Sequence, residues 1–414
     1  MAQPVLVLEN TVQNYAWGSR RAIAEFLGRS NPGGAPEAEL WIGAHPKAPS
    51  RVVEPAGYGT LERAIESDPV GLLGSEVCDR FGNQLPFLLK VLAAAEPLSI
   101  QAHPDQEQAR RGWARENREG IPVEAPRRNY RDPNHKPELL CALTPFTALK
   151  GFRPLDDVAR RLEPVAGAEL RREVARVLRE PAPASLRALF TRLMTLEDDE
   201  KRPVLERALA VARRRGGDDP AWDWVERLER RYPGDVGALS PLYLNLVTLA
   251  PNEALFLPAG ELHTYLEGTA LEIMANSDNV LRGGLTPKHV DVPELLATLR
   301  FESKVPEILH PEPVGPCERV FRAPAREFEL SLLEPTAKVG LESDGGDAAV
   351  LLGLEGRARL RAEGRTLPLD RGQAVFVPAS AASWAVEGEG RLARARIPVW
   401  AGPRTAANAG TAGG

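Results

Sequence analysis

The chain has 414 residues, 43% of them apolar, with 52 Lys and Arg against 57 Asp and Glu. That length predicts two or three domains with real cores. A net charge of −5 leaves no basic excess for a nucleic-acid or anionic-membrane binder. Cys78, Cys141 and Cys317 are far apart and odd in number, which argues against a disulfide framework and fits a reducing compartment. The N-terminus lacks a basic region followed by an apolar run, and no stretch reaches about 18 apolar residues. A soluble cytoplasmic protein is expected, acting as a monomer.

In chain order, residues 1–103 are rich in Pro and Gly with short apolar runs, Pro4–Leu8 and Leu85–Leu92, and read as strands joined by turns. The polar stretch Asp105–Arg128 reads as a short helix and loop, with Asp105 as its cap. From Leu155 to Tyr232 the pattern becomes helical. Leu170, Val174, Val177 and Leu178 share one period, and Leu186, Leu189, Phe190 and Leu193 another. Pro164, Pro181, Pro203 and Gly216-Gly217 divide this run into four or five helices. Its 18 Lys and Arg against 16 Asp and Glu over residues 152–233 exclude a polyanion-binding surface.

Strand patterns resume at Leu244–Leu249, Ala254–Leu257 and His263–Leu266, followed by a helix at Val292–Leu299. The C-terminal part reads as β throughout: Glu327–Leu333, Ala348–Leu354, Ala358–Ala362, Ala374–Val377 and Leu392–Ile397, with Gly and Pro between, as in a sandwich or barrel. The tail is small and polar, and flexibility is expected there.

A repeat is visible. Asn252, five residues, Pro258-Ala-Gly260, two residues and His263 align with Gly372, five residues, Pro378-Ala-Ser380, two residues and Ser383. Pro-x-Gly-x-x-His resembles the second motif of cupins, jelly-roll barrels that hold a metal in the barrel mouth. Ser383 in place of His implies that the second barrel has lost its metal.

Three segments concentrate side chains of chemical use. Leu98-Ser-Ile-Gln-Ala-His103 alternates, so Ser99, Gln101 and His103 share a face, with Gln101 and His103 about 7 Å apart along the strand. An edge strand with polar residues facing water is the plainer alternative. Asn134-His-Lys-Pro-Glu138 precedes the apolar strand Leu139–Leu143, and His263 follows the Pro-x-Gly turn. Gln101, His103, Glu138 and His263 form a mixed N/O set suited to Zn²⁺ or another borderline ion. A neutral amide ligand would leave such an ion more positive than a third carboxylate. Arginine outnumbers lysine 44 to 8, yet Lys90, Lys136, Lys150 and Lys288 all fall in these richer segments. An ammonium can lose its proton more readily than a guanidinium.

Gln101-Ala-His-Pro-Asp105, Asn134-His-Lys-Pro-Glu138, Gly260-Glu-Leu-His263, Glu272-Ile-Met-Ala-Asn-Ser-Asp-Asn279, Arg282 and Thr286-Pro-Lys288 together resemble the type I mannose-6-phosphate isomerases (phosphomannose isomerases). Asn14-Tyr-Ala-Trp-Gly18, Ala38-Glu-Leu-Trp-Ile-Gly-Ala-His45, Leu85-Pro-Phe-Leu-Leu-Lys-Val91 and Phe146-Thr-Ala-Leu-Lys-Gly-Phe152 extend the likeness colinearly from about residue 10 to residue 303. The resemblance implies one zinc per chain on Gln101, His103, Glu138 and His263, an active-site arginine at Arg282, and interconversion of mannose 6-phosphate and fructose 6-phosphate.

Moving a carbonyl from C1 to C2 requires ring opening, removal of a carbon-bound proton, and an enediol whose oxyanion needs a preorganised cation. The candidate bases are Glu272, Lys136 and His135; Lys136 would need its pKa lowered by zinc and Arg282 nearby. Lys288 and Ser99 are expected to meet the phosphate, and Trp17 and Tyr265 to wall the sugar. Against these stand plainer readings: Glu272 as a solvent-facing strand residue, His135 as an outer donor, Lys90 as paired internally. His45, His289 and His310 read as structural or exposed.

The expected fold is mainly β with an α-helical insertion: two cupin-like jelly-roll barrels plus a helical domain. Residues 1–151 and 240–305 form the metal-binding domain, 152–239 the insertion, 306–400 a degenerate second barrel, and 401–414 the tail. Rival readings are an isomerase of another sugar or phosphosugar, a non-catalytic metal-binding sugar-sensing cupin, and an iron dioxygenase. The last is disfavoured by the small number of His ligands.

Overall fold

The computed structural model describes residues 3–398, so the expected tail lies outside the described residues. The strands fall into two sheets of ten. In the first, Ala254–Leu257, Glu138–Ala142, His263–Ala275, Phe87–Ala94, Glu39–Gly43 and Thr11–Gln13 follow one another, all antiparallel. His263–Ala275 is its axis. The second half of that strand pairs with Phe87–Ala94 and Glu138–Ala142, whereas the first half pairs with Phe146–Phe152 and Gln101–Ala102. The change of partner is made at Gly268, at a φ of 125°, where a Cβ would stand 2.6 Å from Cδ2 of Phe146. Only glycine takes this bend without strain.

Alternation sorts the side chains of these strands. Leu89, Val91, Leu139, Cys141, Leu271 and Ile273 join a core that also holds Phe321, Val350 and Phe376 of the C-terminal part. The intervening Lys90, Glu138, Glu272 and Met274 face a cavity on the other side. A run that reads as buried throughout is therefore buried in two different ways.

The second sheet runs Glu312–Pro313, Glu318–Phe321, Glu329–Leu333, Trp384–Arg396, Ala349–Ala362, Ala374–Val377, Leu6–Glu9, Arg51–Glu54. Here the structure departs from the expected division. Leu6–Glu9 pairs with Ala374–Val377, and Arg51–Glu54 pairs with Leu6–Glu9, so two strands from the first 151 residues complete the C-terminal sheet. Leu6 and Leu8 enter one core while Val5 and Val7 contact another, a demand that only a strand covered on both faces satisfies. The two segments expected at 348–362 are one strand with a register shift between Gly353 and Glu355.

Helices Leu61–Ser67, Pro69–Leu73 and Ser75–Phe81 occupy a region read as strands and turns. Thr60 and Asp68 cap the first two, but elements this short show no period. The insertion contains five α-helices between Leu155 and Arg231. Two details differ from expectation. Pro203 lies inside Asp198–Arg215 near its start, and Leu178 is 49% exposed because it falls beside the Leu170–Val174–Val177 stripe. The insertion is not a separate body: its apolar faces share one core with Ile100, Ala102, Leu149, Leu262 and Leu281.

Candidate active site

Ile100 and Ala102 point into the core shared with the helices, which turns Gln101 the other way, toward the cavity. The short strand Gln101–Ala102 places Gln101 opposite both His263 and Arg282. His103 follows immediately, and Glu138 begins the strand that faces Met274.

His103 and His263 are fully buried and Glu138 is 1% exposed. His103 Nε2 lies 3.3 Å from Glu138 Oε1, and His263 Nε2 lies 3.4 Å from Glu138 Oε2. The ligand-capable atoms of the three residues lie within 4.8 Å of one another. Each imidazole is oriented from behind: His103 Nδ1 is 2.7 Å from the Asn279 carbonyl oxygen and His263 Nδ1 is 3.0 Å from that of Glu261. A carbonyl only accepts, so both Nδ1 atoms carry the proton and both Nε2 atoms present lone pairs to Glu138. His103 Nε2, His263 Nε2 and Glu138 Oε2 have no hydrogen-bond partner. Three buried polar atoms unpartnered at one point are costly unless an ion joins them. Two imidazoles and a carboxylate fit zinc.

Electrostatics favour the same protonation states. Burial pushes the His103 imidazole down to about 4; Glu138 opposes this, and Lys136 and His263 add to it. Burial would raise Glu138, but the Lys136 ammonium and His103 outweigh it and hold the carboxyl well below its usual range. A neutral His103 imidazole beside an ionised Glu138 carboxylate is what a divalent ion requires.

Beside this cluster runs a row of charges. Glu272 pairs across the sheet with Lys90, and Lys90 with Trp41. Lys90 Nζ donates to Glu272 Oε2 at 2.8 Å, Tyr265 Oη donates to Glu272 Oε1 at 2.8 Å, and Trp41 Nε1 donates to Glu39 Oε2 at 2.6 Å. Burial disfavours the charged form of Lys90, yet Glu272 and Glu39 together lift its pKa above the ordinary lysine value. Lys136 Nζ lies 2.9 Å from Glu138 Oε1. These groups wall a cavity of about 580 Å³ that Ser99, Gln101, Trp17, Tyr265, Arg282 and Lys288 also line.

Comparison with known proteins agrees with this geometry. Residues 5–155 match the phosphomannose isomerase type I catalytic domain, and residues 327–397 match the mannose-6-phosphate isomerase cupin domain. The chain is 46% identical to mannose-6-phosphate isomerase of Shigella flexneri over 94% of its length and 98% of the relative's. It is 35% identical to the Homo sapiens protein of that name over 92% and 95%. The chain belongs to the type I phosphomannose isomerase family. A crystallised point mutant of phosphomannose isomerase from Salmonella typhimurium superposes with a TM-score of 0.89 at 43% identity, covering 95% of this chain and all of that one. A zinc-bound mannose 6-phosphate isomerase structure gives the same TM-score and coverage.

Set in this phosphomannose isomerase fold, most of the nominated residues meet. Gln101, Glu138, Lys136, Glu272, Arg282, Ser99, Lys288, Trp17 and Tyr265 line the cavity, with His103 and His263 buried at Glu138. Glu272 is 3% exposed, which replaces the solvent-facing alternative. His135 is not brought in. Its Nε2 is 2.8 Å from Glu327 Oε1, in the C-terminal part, and it does not line the cavity. His135 lies in the loop that precedes the strand Glu138–Ala142, where no strand alternation fixes its direction.

Of the two readings given for His45, structural or exposed, the buried one holds. The residue is 4% exposed and lines the cavity, with Nε2 3.8 Å from Asp278 Oδ2. Burial pushes its imidazole down to about 4, Asp278 opposing and Lys90 adding. Glu39 and Trp41 were legible as the alternate face of Ala38–His45. Arg231 and Tyr232 of the insertion also reach the cavity, and no local pattern announces them.

Proposed function

We propose that this protein is a zinc-dependent aldose–ketose isomerase interconverting mannose 6-phosphate and fructose 6-phosphate through an enediol. The observation that carries this is the buried convergence of His103, Glu138 and His263, with unpartnered atoms facing one point. One zinc per chain would sit on these three and the Gln101 amide oxygen. When bound, it supplies a Lewis acid that polarises the sugar's carbonyl and hydroxyl oxygens.

The chain's own groups do the rest. Glu272 and Lys136 face the cavity and are the candidates to take and return the carbon-bound proton; His135, the third candidate, is turned to Glu327. Tyr265 and Lys90 fix the Glu272 carboxylate through both oxygens, which favours a defined proton-transfer geometry. Arg282 stabilises the developing oxyanion. Lys288 and Ser99 meet the phosphate, and Trp17 and Tyr265 wall the sugar.

The domain reading remains two cupin-like barrels with a helical insertion at 152–239, the second barrel from 306 onward being completed by Leu6–Glu9 and Arg51–Glu54. The Asn252 and Gly372 repeats support it, both beginning with a left-handed residue (φ 71° and 85°). No described helix is long and apolar enough to cross a membrane. The three free cysteines support a cytoplasmic location, and the active unit is taken as a monomer. The rivals, another sugar isomerase or a silent sugar-sensing cupin, are not favoured by the comparisons. The test is a coupled assay on mannose 6-phosphate with and without a chelator, beside metal analysis. Turnover lost on chelation and restored by zinc is expected; full turnover in metal-free protein would overturn the reading.

A further inference from the structure

The cations on the cavity wall can be matched to carboxylates one at a time. Lys90 Nζ lies 2.8 Å from Glu272, Lys136 Nζ 2.9 Å from Glu138, and Lys47 Nζ 2.9 Å from Asp278. Arg128 Nε lies 3.0 Å from Glu116 and Arg231 Nε 3.3 Å from Glu96. Three are left over. Among the described residues Arg282 and Lys288 have no carboxylate within 4.0 Å. Arg131 has only Glu124 at 3.7 Å, whose side chain is 77% exposed and so contributes little.

Arg131 lies in a loop, Arg282 in the two-residue strand Leu281–Arg282 and Lys288 in the segment after it, and one buried side chain ties the first of these to the stretch that leads into the others. Asn279 Oδ1 accepts from the Arg131 amide at 2.7 Å, while Asn279 Nδ2 donates to the carbonyl oxygens of Asp132 and Asn134 at 2.8 Å each. The same residue's carbonyl oxygen orients His103. The Arg131 backbone is therefore fixed relative to both the metal cluster and the stretch that leads into Arg282. The cations sense one another: burial, with Arg131 adding, lowers Arg282, and burial, Arg282 and Arg131 lower Lys288. Holding like charges together costs free energy unless a counter-charge joins them. With Arg282 assigned to the reacting oxygens, Lys288 and Arg131 remain: two cations for a group bearing two negative charges.

We infer that Arg131 binds the phosphate group of the substrate together with Lys288, and that it sets the preference for a phosphorylated over an unphosphorylated sugar. The sugar part rests on the isomerase reading; the phosphate part does not. A guanidinium offers paired donors to phosphate oxygens that a point charge lacks.

The test uses the zinc-loaded full chain and inorganic phosphate as probe, by calorimetric titration and as a competitive inhibitor. Arg131→Met should weaken phosphate binding about tenfold or more, with zinc content and melting temperature at wild-type values. It should raise KM for mannose 6-phosphate more than it lowers kcat, and reduce the kcat/KM ratio of mannose 6-phosphate to mannose. Arg131→Lys should recover part of the phosphate affinity. Equal phosphate affinity in wild type and Arg131→Met would overturn the assignment. So would a lysine variant that binds phosphate no better than the methionine variant while both remain folded and zinc-loaded. Phosphate binding through Arg131 in a protein that isomerises neither sugar would sink the isomerase reading and leave the phosphate site standing.

Discussion

Asn252–Ala275 and Gly372–Arg396 trace one backbone theme with opposite contents. Each opens on a left-handed residue and continues through a four-residue strand, a turn and a 13-residue strand. Each long strand carries a glycine of positive φ, Gly268 and Gly388, and the paired positions stand 120 apart in the chain. At the site end the first copy has His263, fully buried, and the second has Ser383, exposed. Where the first has Glu272 the second has Leu392, packed with Trp384, Val386, Leu360 and Val375. The charge that the C-terminal copy does bury, Arg394, pairs at 3.3 Å with Glu318 of the strand Glu318–Phe321. Glycines, turns and alternation build the scaffold, whereas a few inward substitutions decide whether it holds a reactive centre. What sets the first copy apart is that three unpartnered buried atoms, on His103, Glu138 and His263, converge on one point.

The contrast can be broken most severely at His263. His263→Ala should release zinc and reduce turnover to background; full zinc stoichiometry in that variant would show that the first copy does not hold the ion as argued. Conversely, Leu392→Glu places an unpaired carboxylate where the second copy is fully buried, and should cost about 3–5 kcal/mol, read as a fall in melting temperature. A stable variant would mean that the C-terminal copy can still host charge.

Acid stability sharpens the comparison. Because burial holds His45 at about 4 in the folded protein, folded and unfolded states are both neutral above about pH 6.5, and nothing is lost there. As pH falls from about 6.5 to about 4 the unfolded state alone takes the proton, and stability declines by up to about 3 kcal/mol for this residue. His45→Gln should flatten that decline in urea unfolding of the zinc-free protein; an unchanged acid limb would count against a neutral buried His45. Arg282→Ala should lower turnover about 10²-fold with zinc retained, and an unchanged rate would remove Arg282 from the reacting oxygens. The smallest effect belongs to Ser383→His. At this exposed site stability should move by no more than about 0.5 kcal/mol and kcat should hold, whereas a large loss would show that the C-terminal copy still contributes to catalysis.

Much was legible locally. The alternation in Leu98–His103 put Gln101 on one side and Ile100 and Ala102 on the other, as the structure has them. The limits of Leu244–Leu249, Ala254–Leu257 and Ala374–Val377 coincide with the strands. The capped helices at 61–81 escaped because one or two turns are too short for a period to emerge. That His45 lines the cavity was not legible, because an isolated histidine carries no pattern; the charges that face it, Asp278 in a loop and Lys90 in a strand, are distant in the chain.

Sequence alone determined the alternating faces, the turn-and-strand repeat, the helical character of 155–231 and the segments that carry His103, Glu138 and His263, since all of these follow from residues a few positions apart. Tertiary structure alone decided that Leu6–Glu9 and Arg51–Glu54 close the C-terminal sheet, that His135 turns to Glu327, and that Arg282 and Lys288, with no carboxylate of their own among the described residues, line the same cavity as Arg131, whose one carboxylate is the exposed Glu124. Each of these depends on which distant edge or loop a segment meets, and backbone pairing and charge act across space without leaving a mark in the neighbouring sequence.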